Sequence, residues 1–334
     1  MSQWKFVRSS SWTAAIPEAD PNGPWLHLII DSDTSANVLT DSVLRELSER
    51  VSEVDAFDGI RALIISSAKK SHFIAGADVN SIGSATDASD VVAACTRVQS
   101  LFGKLGTLSV PSICVIRGTC LGGGLELALG CTARIVVDDR STKIGFPEVN
   151  LGIIPGFGGT VRTTLLLGLR GALQWILKAQ RLPARVALRK GLADAILPAE
   201  GFRTLSLQII EEMISDKFVS VKTRRQKRRK GFFNFLLDET APGRALSARI
   251  AKKTVLAQTR GNMPAPIAAI DVARFSASHP AGQAFQKEAE TTSELAVGPV
   301  CRNLVSIFQD SEMVRRGTAN DPQGDWPTNK NLVI

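Results

Sequence analysis

The sequence contains no tyrosine and only three histidines among its 334 residues. The absence of tyrosine excludes a tyrosine general acid. A three-histidine metal site would need His27, His72 and His279 to converge from widely separated positions. Any chemistry must therefore rest mainly on carboxylates, backbone groups, serine or threonine hydroxyls, or a bound cofactor.

Cysteine is also scarce, and its spacing argues against a disulfide framework. The cysteines form no CxxC pair and stand mostly within apolar stretches. We expect reduced, buried thiols, as in a cytosol-like compartment. They are Cys95, Cys114, Cys120, Cys131 and Cys301.

Long hydrophobic runs are absent as well, and the positive charge is confined to one place. No apolar run reaches the length of a bilayer, and residues 1–14 resemble neither a signal peptide nor a transit peptide. The net charge is +8, but residues 222–230 read K-T-R-R-Q-K-R-R-K, so the rest of the chain is nearly neutral. We call this segment the basic strip. Its charge indicates most often a solvated surface, less often a contact with a partner, a lipid or the phosphate of a ligand, and least often nucleic-acid binding.

Hydrophobic periodicity predicts strands that alternate with helices, which is typical of an α/β protein. The 44% of hydrophobic residues is ample for a sizeable core. Beyond residue 201 the chain is mostly helix-like, and residues 330–334 are strand-like. Strands are predicted over residues 25–30, 61–66, 112–116 and 133–137, and helices over residues 37–54, 88–105 and 125–131.

Two glycine-bearing segments are candidates for close contact between the backbone and a ligand. At residues 73–79, F-I-A-G-A-D-V has small side chains that permit such an approach; the alternative is an ordinary tight turn. At residues 117–128, R-G-T-C-L-G-G-G-L-E-L-A places three glycines before an apolar helix. Their N–H groups and the helix dipole suit an anion or a developing oxyanion. Glu126 is either catalytic there or simply a favourable first-turn residue.

A third segment, I-G-F-P-E-V-N-L-G-I-I-P-G-F-G-G-T at residues 144–160, carries a second candidate carboxylate. Glu148 is bracketed by Pro147 and apolar residues, an environment that raises a carboxyl pKa and suits proton transfer. The glycines at 156–159 do not complete a G-x-G-x-x-G dinucleotide motif, because residue 161 is valine. The segment therefore predicts proton transfer rather than dinucleotide binding.

Taken together, the three segments resemble the crotonase (enoyl-CoA hydratase/isomerase) superfamily. Its motifs F-I-A-G-A-D, G-x-x-L-G-G-G-x-E and G-x-P-E-x-x-L-G-x-x-P-G-x-G-G-T occur here in the family's order, within residues 37–198. The run L-E-L-A-L-G-C followed by D-D-R-S-T is similar to the hydratase half of multifunctional fatty-acid oxidation α subunits. The resemblance implies an α/β fold, a crotonase-type spiral of β-β-α units with a helical C-terminal region.

The resemblance also implies a reaction and the residues that perform it. The reaction is hydration of trans-2-enoyl-CoA, with the thioester oxygen in an oxyanion hole formed by the N–H groups of Ala77 and Gly123. Glu126 is expected to activate water and Glu148 to protonate C2, with Δ3–Δ2 isomerisation as a side activity. Further substrate or CoA contacts are expected from Ala75, Gly76, Asp78, Gly122 and Gly156.

Two of these residues carry a more specific expectation. For Asp78 we favour a structural hydrogen bond that holds the oxyanion loop. Gly156, at the expected start of the next helix, is assigned to help place the water through its N–H. No metal or redox cofactor is implied, and NAD would belong only to a downstream dehydrogenase domain.

The resemblance further implies an organisation in three parts. We expect a hydratase core over residues 1–200, a helical region over 201–300, and a linker helix with a tail over 301–334 that leads towards an absent dehydrogenase domain. The expected partners are acyl-CoA and either a homotrimer or a thiolase subunit, in the bacterial cytoplasm or the mitochondrial matrix. The alternatives are other acyl-CoA chemistry of the superfamily, or a non-catalytic RNA-binding or scaffold role for the basic strip.

Overall fold

A computed structural model of the chain describes residues 3–13, 16–20, 23–200, 202–215 and 235–320. The basic strip and the strand-like residues 330–334 lie outside the described residues. Among the described helices, none is both long enough and apolar enough to cross a bilayer. The five cysteines are buried and free of disulfides, as their spacing predicts.

The strands form two sheets. In chain order they are β1 (Trp4–Thr13), β2 (Ile16–Ala19), β3 (Trp25–Ile30), β4 (Ala62–Ser67), β5 (His72–Ile74), β6 (Ser112–Ile116), β7 (Thr119–Leu121), β8 (Ala133–Asp138), β9 (Lys143–Gly145), β10 (Leu182–Pro183) and β11 (Ala195–Pro198). The large sheet has seven strands in the order β11-β8-β6-β4-β3-β1-β2, and the small sheet has four in the order β10-β9-β7-β5.

The helices cover the sheets and extend the chain beyond them. They are α1 (Asp41–Glu53), α2 (Val79–Gly83), α3 (Ala88–Leu105), α4 (Gly123–Gly130), α5 (Gly159–Ile176), α6 (Ala184–Arg189), α7 (Phe202–Ile214), α8 (Ala241–Thr259), α9 (Pro264–Ser276), α10 (Ala281–Ala296) and α11 (Pro299–Asn320). Short 3₁₀ turns cover Val54–Ala56 and Glu148–Leu151, and a π-helical turn covers Phe235–Glu239.

One pattern repeats three times along the chain: a strand of the large sheet, a strand of the small sheet, then a helix. The first strands, β4, β6 and β8, lie side by side in parallel, and so do the second strands, β5, β7 and β9. The helices α3, α4 and α5 close the three units. The α/β fold class predicted from the sequence is therefore confirmed, and its repeating unit is β-β-α.

The interior strands of the large sheet were predictable because parallel strands buried on both faces consist of nearly continuous apolar residues. Every residue of β3, β4 and β6 is buried. The strands β1 and β2, by contrast, were not predicted. β1 pairs antiparallel with β3 and β2 pairs with β1 at the edge of the sheet, and such pairing leaves a weaker local signal than double-sided burial does.

Helix α4 is a core helix, since all of its residues are buried. It is apolar on every side, which is typical of a helix packed inside a protein rather than on its surface. Glu126 is its one charged residue and lies in its first turn. The fold therefore places this carboxylate within the apolar interior.

The C-terminal helices return to the core rather than forming a separate body. α10 packs against α3 and α5, α9 packs against α5, and α11 packs against α2 and the 3₁₀ turn Glu148–Leu151. This brings residues far along the sequence to the amino end of α5. The division at residues 200 and 300 stays a prediction.

Candidate active site

A cavity of about 600 Å³ lies where the first two glycine-bearing segments meet the third segment and the C-terminal helices. Every residue that the sequence analysis assigned to the site lines it. These residues are Ala75, Gly76, Ala77, Asp78, Gly122, Gly123, Glu126, Glu148 and Gly156. The fold thus brings the predicted set together, while the role of each residue stays a prediction.

The backbones of Ala77 and Gly123 are adjacent at the cavity wall. A β-carbon built on Gly123 would lie 3.4 Å from the nitrogen of Ala77. Within the described part of the chain, no acceptor binds the N–H group of either residue. Two neighbouring N–H groups without an internal acceptor are suited to bind an oxyanion.

A buried asparagine holds the loop that carries Ala77. Asn37 is fully buried, and its Nδ2 donates to the carbonyl of Phe73 and to the Ser67 hydroxyl, both at 2.8 Å. The main-chain carbonyl of Asn37 accepts from the N–H of Ala75 at 2.8 Å. In the sequence, residue 37 begins the segment that resembles the family and the helix predicted over residues 37–54, although the helix itself begins at Asp41. A lone Asn-Val-Leu gives no sign of the distant partners of Asn37.

Asp78 follows the loop and caps α2. Its carboxylate accepts from the N–H of Asn80 and from the hydroxyl of Ser81, each at 3.0 Å. Such an N-cap satisfies donors that the helix cannot pair internally. The hydrogen bonds of Asp78 are thus local to the end of the oxyanion loop.

Glu126 is 2% exposed and hydrogen-bonded to the amino end of α5. Its Oε1 accepts from the N–H groups of Phe157 and Gly159, both at 2.8 Å. Burial raises the pKa of Glu126 to about 7, although these two donors and the Arg162 charge oppose the rise. Glycine is required at position 159, because a β-carbon there would lie 2.7 Å from Oε1.

Glu148 is buried too, but it is held differently. It begins the 3₁₀ turn Glu148–Leu151, and its Oε2 has no hydrogen-bond partner among the described residues. Burial, reinforced by the negative charge of Glu126, raises its pKa well above the usual range for glutamate. Gly122 has a φ of 49° and leaves the space that Glu148 needs, since a β-carbon there would lie 2.7 Å from Oε1.

The structure corrects one expectation about Gly156. Helix α5 begins at Gly159, three residues later, so Gly156 does not start the helix. Its carbonyl accepts from Nε2 of Gln99 at 3.0 Å, and it lines the cavity. The N–H groups that bind Glu126 are those of Phe157 and Gly159. The assignment of the Gly156 N–H to the water stays a prediction.

A third buried glutamate, Glu288, was missed by the sequence analysis. It is fully buried on α10 and accepts from the N–H groups of Gly158 and Val161 at the amino end of α5. Burial raises its pKa to about 8. The available signal was its position between Ala284 and Thr292, a spacing of four residues on one helical face. That spacing can indicate that Glu288 is buried, but it does not indicate which segment Glu288 binds.

The fold belongs to the crotonase class. Carnitinyl-CoA dehydratase from Mycobacterium thermoresistibile superposes with a TM-score of 0.65 at 16% identity, over 92% of this chain and 90% of that one. Human mitochondrial delta3-delta2-enoyl-CoA isomerase gives 0.59 at 19% identity, over 94% and 100%. An enoyl-CoA hydratase from Bacillus anthracis gives 0.55 at 25% identity, over 68% and 83%. The predicted spiral with its helical C-terminal region is confirmed.

Sequence comparisons identify the family within this fold class. The family described as Enoyl-CoA hydratase/isomerase matches residues 26–242, so the chain belongs to that family, as its motifs predict. The fatty acid oxidation complex subunit alpha of Shewanella sp. (strain ANA-3) is 36% identical over 289 residues, 86% of this chain and 40% of the relative. The subunit of Shewanella baltica (strain OS185) is 33% identical over the same length. The chain thus spans about 40% of the length of these curated relatives.

Proposed function

We propose that the protein hydrates trans-2-enoyl-CoA to 3-hydroxyacyl-CoA. One arrangement carries the proposal. Two buried glutamates line the same cavity as two backbone N–H groups that have no acceptor among the described residues, in a chain of the enoyl-CoA hydratase/isomerase family. Each group has a part in adding water across an activated double bond. Ala75, Gly76 and Gly122 supply backbone that the substrate can approach closely.

In the proposed mechanism the thioester oxygen accepts hydrogen bonds from the N–H groups of Ala77 and Gly123. Attack of water at C3 pushes electrons towards this oxygen and forms an enolate. Donors fixed in a water-poor cavity stabilise such developing charge without reorganising, by roughly 3–4 kcal/mol per donor. The amino end of α4, at Gly123, adds a favourable dipole.

The two carboxyl groups divide the proton transfers. Glu126, with its pKa raised to about 7, is substantially ionised near neutral pH and takes a proton from the attacking water. Glu148, whose pKa is raised well above the usual range, holds a proton and gives it to C2. The substrate gains one water, and a proton passes from Glu126 back to Glu148 to restore the starting state. The reaction involves no net oxidation or reduction.

The remaining lining of the cavity suits an acyl chain. Apolar side chains contribute from several elements, including Leu44 of α1, Val91 of α3 and Phe308 of α11. Burying a chain methylene against such residues is worth about 0.8 kcal/mol. This supports an acyl thioester as the substrate.

A second candidate activity is Δ3–Δ2 isomerisation at the same site. The observation that favours it is Oε2 of Glu148, a buried oxygen without a partner among the described residues. In its ionised form, such a group is suited to remove a proton from one carbon and return it to another while the oxyanion hole holds the enolate. Shift of a 3-enoyl-CoA to its conjugated isomer would reveal this activity separately.

The compartment and the assembly partners of the enzyme are proposed from its relatives. The matched curated relatives named above are bacterial and are subunits of a complex by name, which favours the cytoplasm over the mitochondrial matrix. Assembly as a homotrimer or with a thiolase subunit are both proposals. Light scattering of the purified chain, alone and with a thiolase subunit, distinguishes them.

The decisive experiment is turnover of crotonyl-CoA by the purified chain, followed as loss of the enoyl-thioester absorbance. We expect a product one water heavier than the substrate. Absence of turnover at every acyl chain length would overturn the proposal. Release of free CoA would indicate a hydrolase instead, and salt-dependent RNA retention that is lost on neutralising the basic strip would support the non-catalytic alternative.

A further inference from the structure

The backbone at the amino end of α5 lies between two buried glutamates. Within residues 157–161, N–H groups on one side point to Glu126 and those on the other side point to Glu288. The donors to Glu126 are Phe157 and Gly159, and the donors to Glu288 are Gly158 and Val161. Neighbouring residues thus donate to different glutamates. Because their peptide groups are joined, the orientation of the N–H groups that bind Glu288 fixes the orientation of those that bind Glu126.

Glu288 is held firmly enough to act as an anchor. Nε2 of Gln99 donates to Oε1 of Glu288 at 3.2 Å, and also to the carbonyls of Gly156 at 3.0 Å and Phe285 at 3.1 Å. The guanidinium of Arg162 donates to the main-chain carbonyl of Gln99 at 2.8 Å. The network ties α3, α5 and α10 together around the loop.

The carboxyl group of Glu288 binds main-chain N–H groups beside the cavity. Glu288 is not among the described residues that line the cavity, whereas Glu126 is. A fully buried carboxyl group is costly unless its oxygens are paired. Both oxygens of Glu288 accept backbone N–H groups next to those that bind Glu126. The arrangement therefore has a consequence at Glu126 and none at the substrate.

We infer that Glu288 is a positioning residue for hydration: it holds the amino end of α5 so that the neighbouring N–H groups bind Glu126. This inference rests on the proposed hydratase function, in which Glu126 activates the water. It assigns a part of the active site to α10, in the C-terminal helical region. The charged and titratable groups that interact with Glu288 are Glu126 of α4, Glu148 of the 3₁₀ turn, Arg162 of α5 and Cys95 of α3.

Replacing Glu288 with alanine separates this role from a simple effect of charge. The N–H groups of Phe157 and Gly159 lower the pKa of Glu126, so their displacement raises that pKa and moves the acid limb of the kcat profile to higher pH. With a pKa of about 8, Glu288 is mostly uncharged in this pH range, and removing whatever negative charge it carries would leave the limb in place or move it to lower pH. We expect kcat at neutral pH to fall roughly 10- to 100-fold, with little change in KM.

Two further variants complete the test. Glu288→Gln keeps one carbonyl acceptor, so we expect a kcat between those of the wild type and Glu288→Ala. Ser293→Ala is the matched control, because Ser293 is buried on the same helix and bonds within it, to the carbonyl of Glu290 at 2.7 Å. We expect its acid limb to coincide with that of the wild type.

Hydrogen exchange of the Phe157 and Gly159 amides provides a readout that does not require activity. We expect faster exchange of both amides in Glu288→Ala and unchanged exchange in Ser293→Ala. An inactive wild type would overturn the hydratase proposal, whereas exchange would still decide the role of Glu288. Glu288→Ala with unchanged exchange and an unmoved limb would overturn the inference. If that variant does not fold, Glu288→Gln with wild-type kcat and exchange would overturn it.

Discussion

The surroundings of Glu126 and of Glu148 differ, although both glutamates are buried beside one cavity. Glu126 lies in a region rich in donors, where two N–H groups at 2.8 Å bind one of its oxygens. Glu148 lies in a region poor in donors, where Oε2 has no partner among the described residues. Burial raises the pKa of both. Two hydrogen bonds from the start of α5 hold the rise at Glu126 to about 7, whereas at Glu148 only its own main-chain N–H opposes the rise.

In the proposed mechanism, this difference lets one residue type supply both a base and an acid. Hydrogen bonds that favour the ionised form offset desolvation at Glu126, whereas like charge adds to desolvation at Glu148. Environments that push two pKa values apart assign the proton acceptor and the proton donor. The donors at Glu126 come from α5, so the assignment depends on where that helix begins.

The largest expected effect comes from removing either carboxyl group. Glu126→Gln and Glu148→Gln should each lower kcat for crotonyl-CoA by roughly 10²- to 10⁴-fold, since each removes one proton transfer. The double variant should lose much less than the product of the two factors, because the groups act as a unit. Rates are measured by the loss of enoyl-thioester absorbance.

Glu53→Gln is the matched control for these variants. Glu53 is exposed at the end of α1 and pairs with Arg50 at 3.0 Å, so the same substitution there should leave kcat unchanged. If one active-site variant retained wild-type kcat, the division of proton transfers between the two glutamates would be wrong.

A smaller effect is expected from crowding the region around Glu148 alone. Gly122→Ala should displace its carboxyl group, since the added β-carbon would lie 2.7 Å from Oε1. We expect kcat to fall roughly 100-fold. The positive φ of 49° should also cost about 1–3 kcal/mol of folding stability. Urea unfolding and kcat measured on the same samples separate the two effects.

Gly282→Ala provides the comparison for that variant. No described atom lies within 4 Å of a β-carbon built on Gly282, in the first turn of α10. It should keep wild-type kcat and gain up to about 1 kcal/mol of stability. Equal activity of the two alanine variants would mean that Glu148 is not confined by Gly122.

The smallest expected effect is the pH dependence of the wild type. The base must be ionised, so kcat should fall up to about tenfold per pH unit as the pH drops below about 7, the pKa of Glu126. It should fall again at high pH, where Glu148 loses the proton that it donates. A kcat profile between about pH 5 and pH 10 measures both limbs, and a flat profile below pH 7 would contradict the role of Glu126.

The same pKa values predict how folding stability depends on pH. Glu126 binds a proton more tightly in the folded than in the unfolded chain, where a glutamate has a pKa of about 4.3. Its contribution is therefore fully present below that value and is lost as the pH rises to about 7. Glu126→Gln should make the decrease in stability over this interval shallower, as measured by urea unfolding.

Much of the fold could be predicted because its elements carry strong local signals. The helix predicted over residues 88–105 matches α3, where Asp87 caps the first turn and Gly106 follows the last residue. The strand predicted over residues 112–116 matches β6, since all of its residues are buried and apolar or small. β1 and β2 could not be predicted in this way, because they form an antiparallel pair at one end of the large sheet, and such pairing leaves a weaker local signal than burial on both faces does.

The segments that line the cavity could be predicted, but the buried residues that hold those segments in place could not. The segments around Ala77, Gly123 and Glu148 identified themselves by small residues and carboxylates at characteristic spacings. The anchors Asn37 and Glu288 could not be identified, because hydrogen-bond partners such as Phe73 and Gly158 are 36 and 130 residues away from them. Local periodicity contains no information about such contacts.

The sequence by itself determined the α/β architecture, the family and nine of the residues that line the cavity. It could do so because apolar runs, glycines and isolated carboxylates are local features with direct physical consequences. Only the tertiary structure decided which carboxyl group receives donors from the start of α5. That depends on the start of α5 and on a glutamate of α10, because the pKa of a buried group is set by neighbours in space.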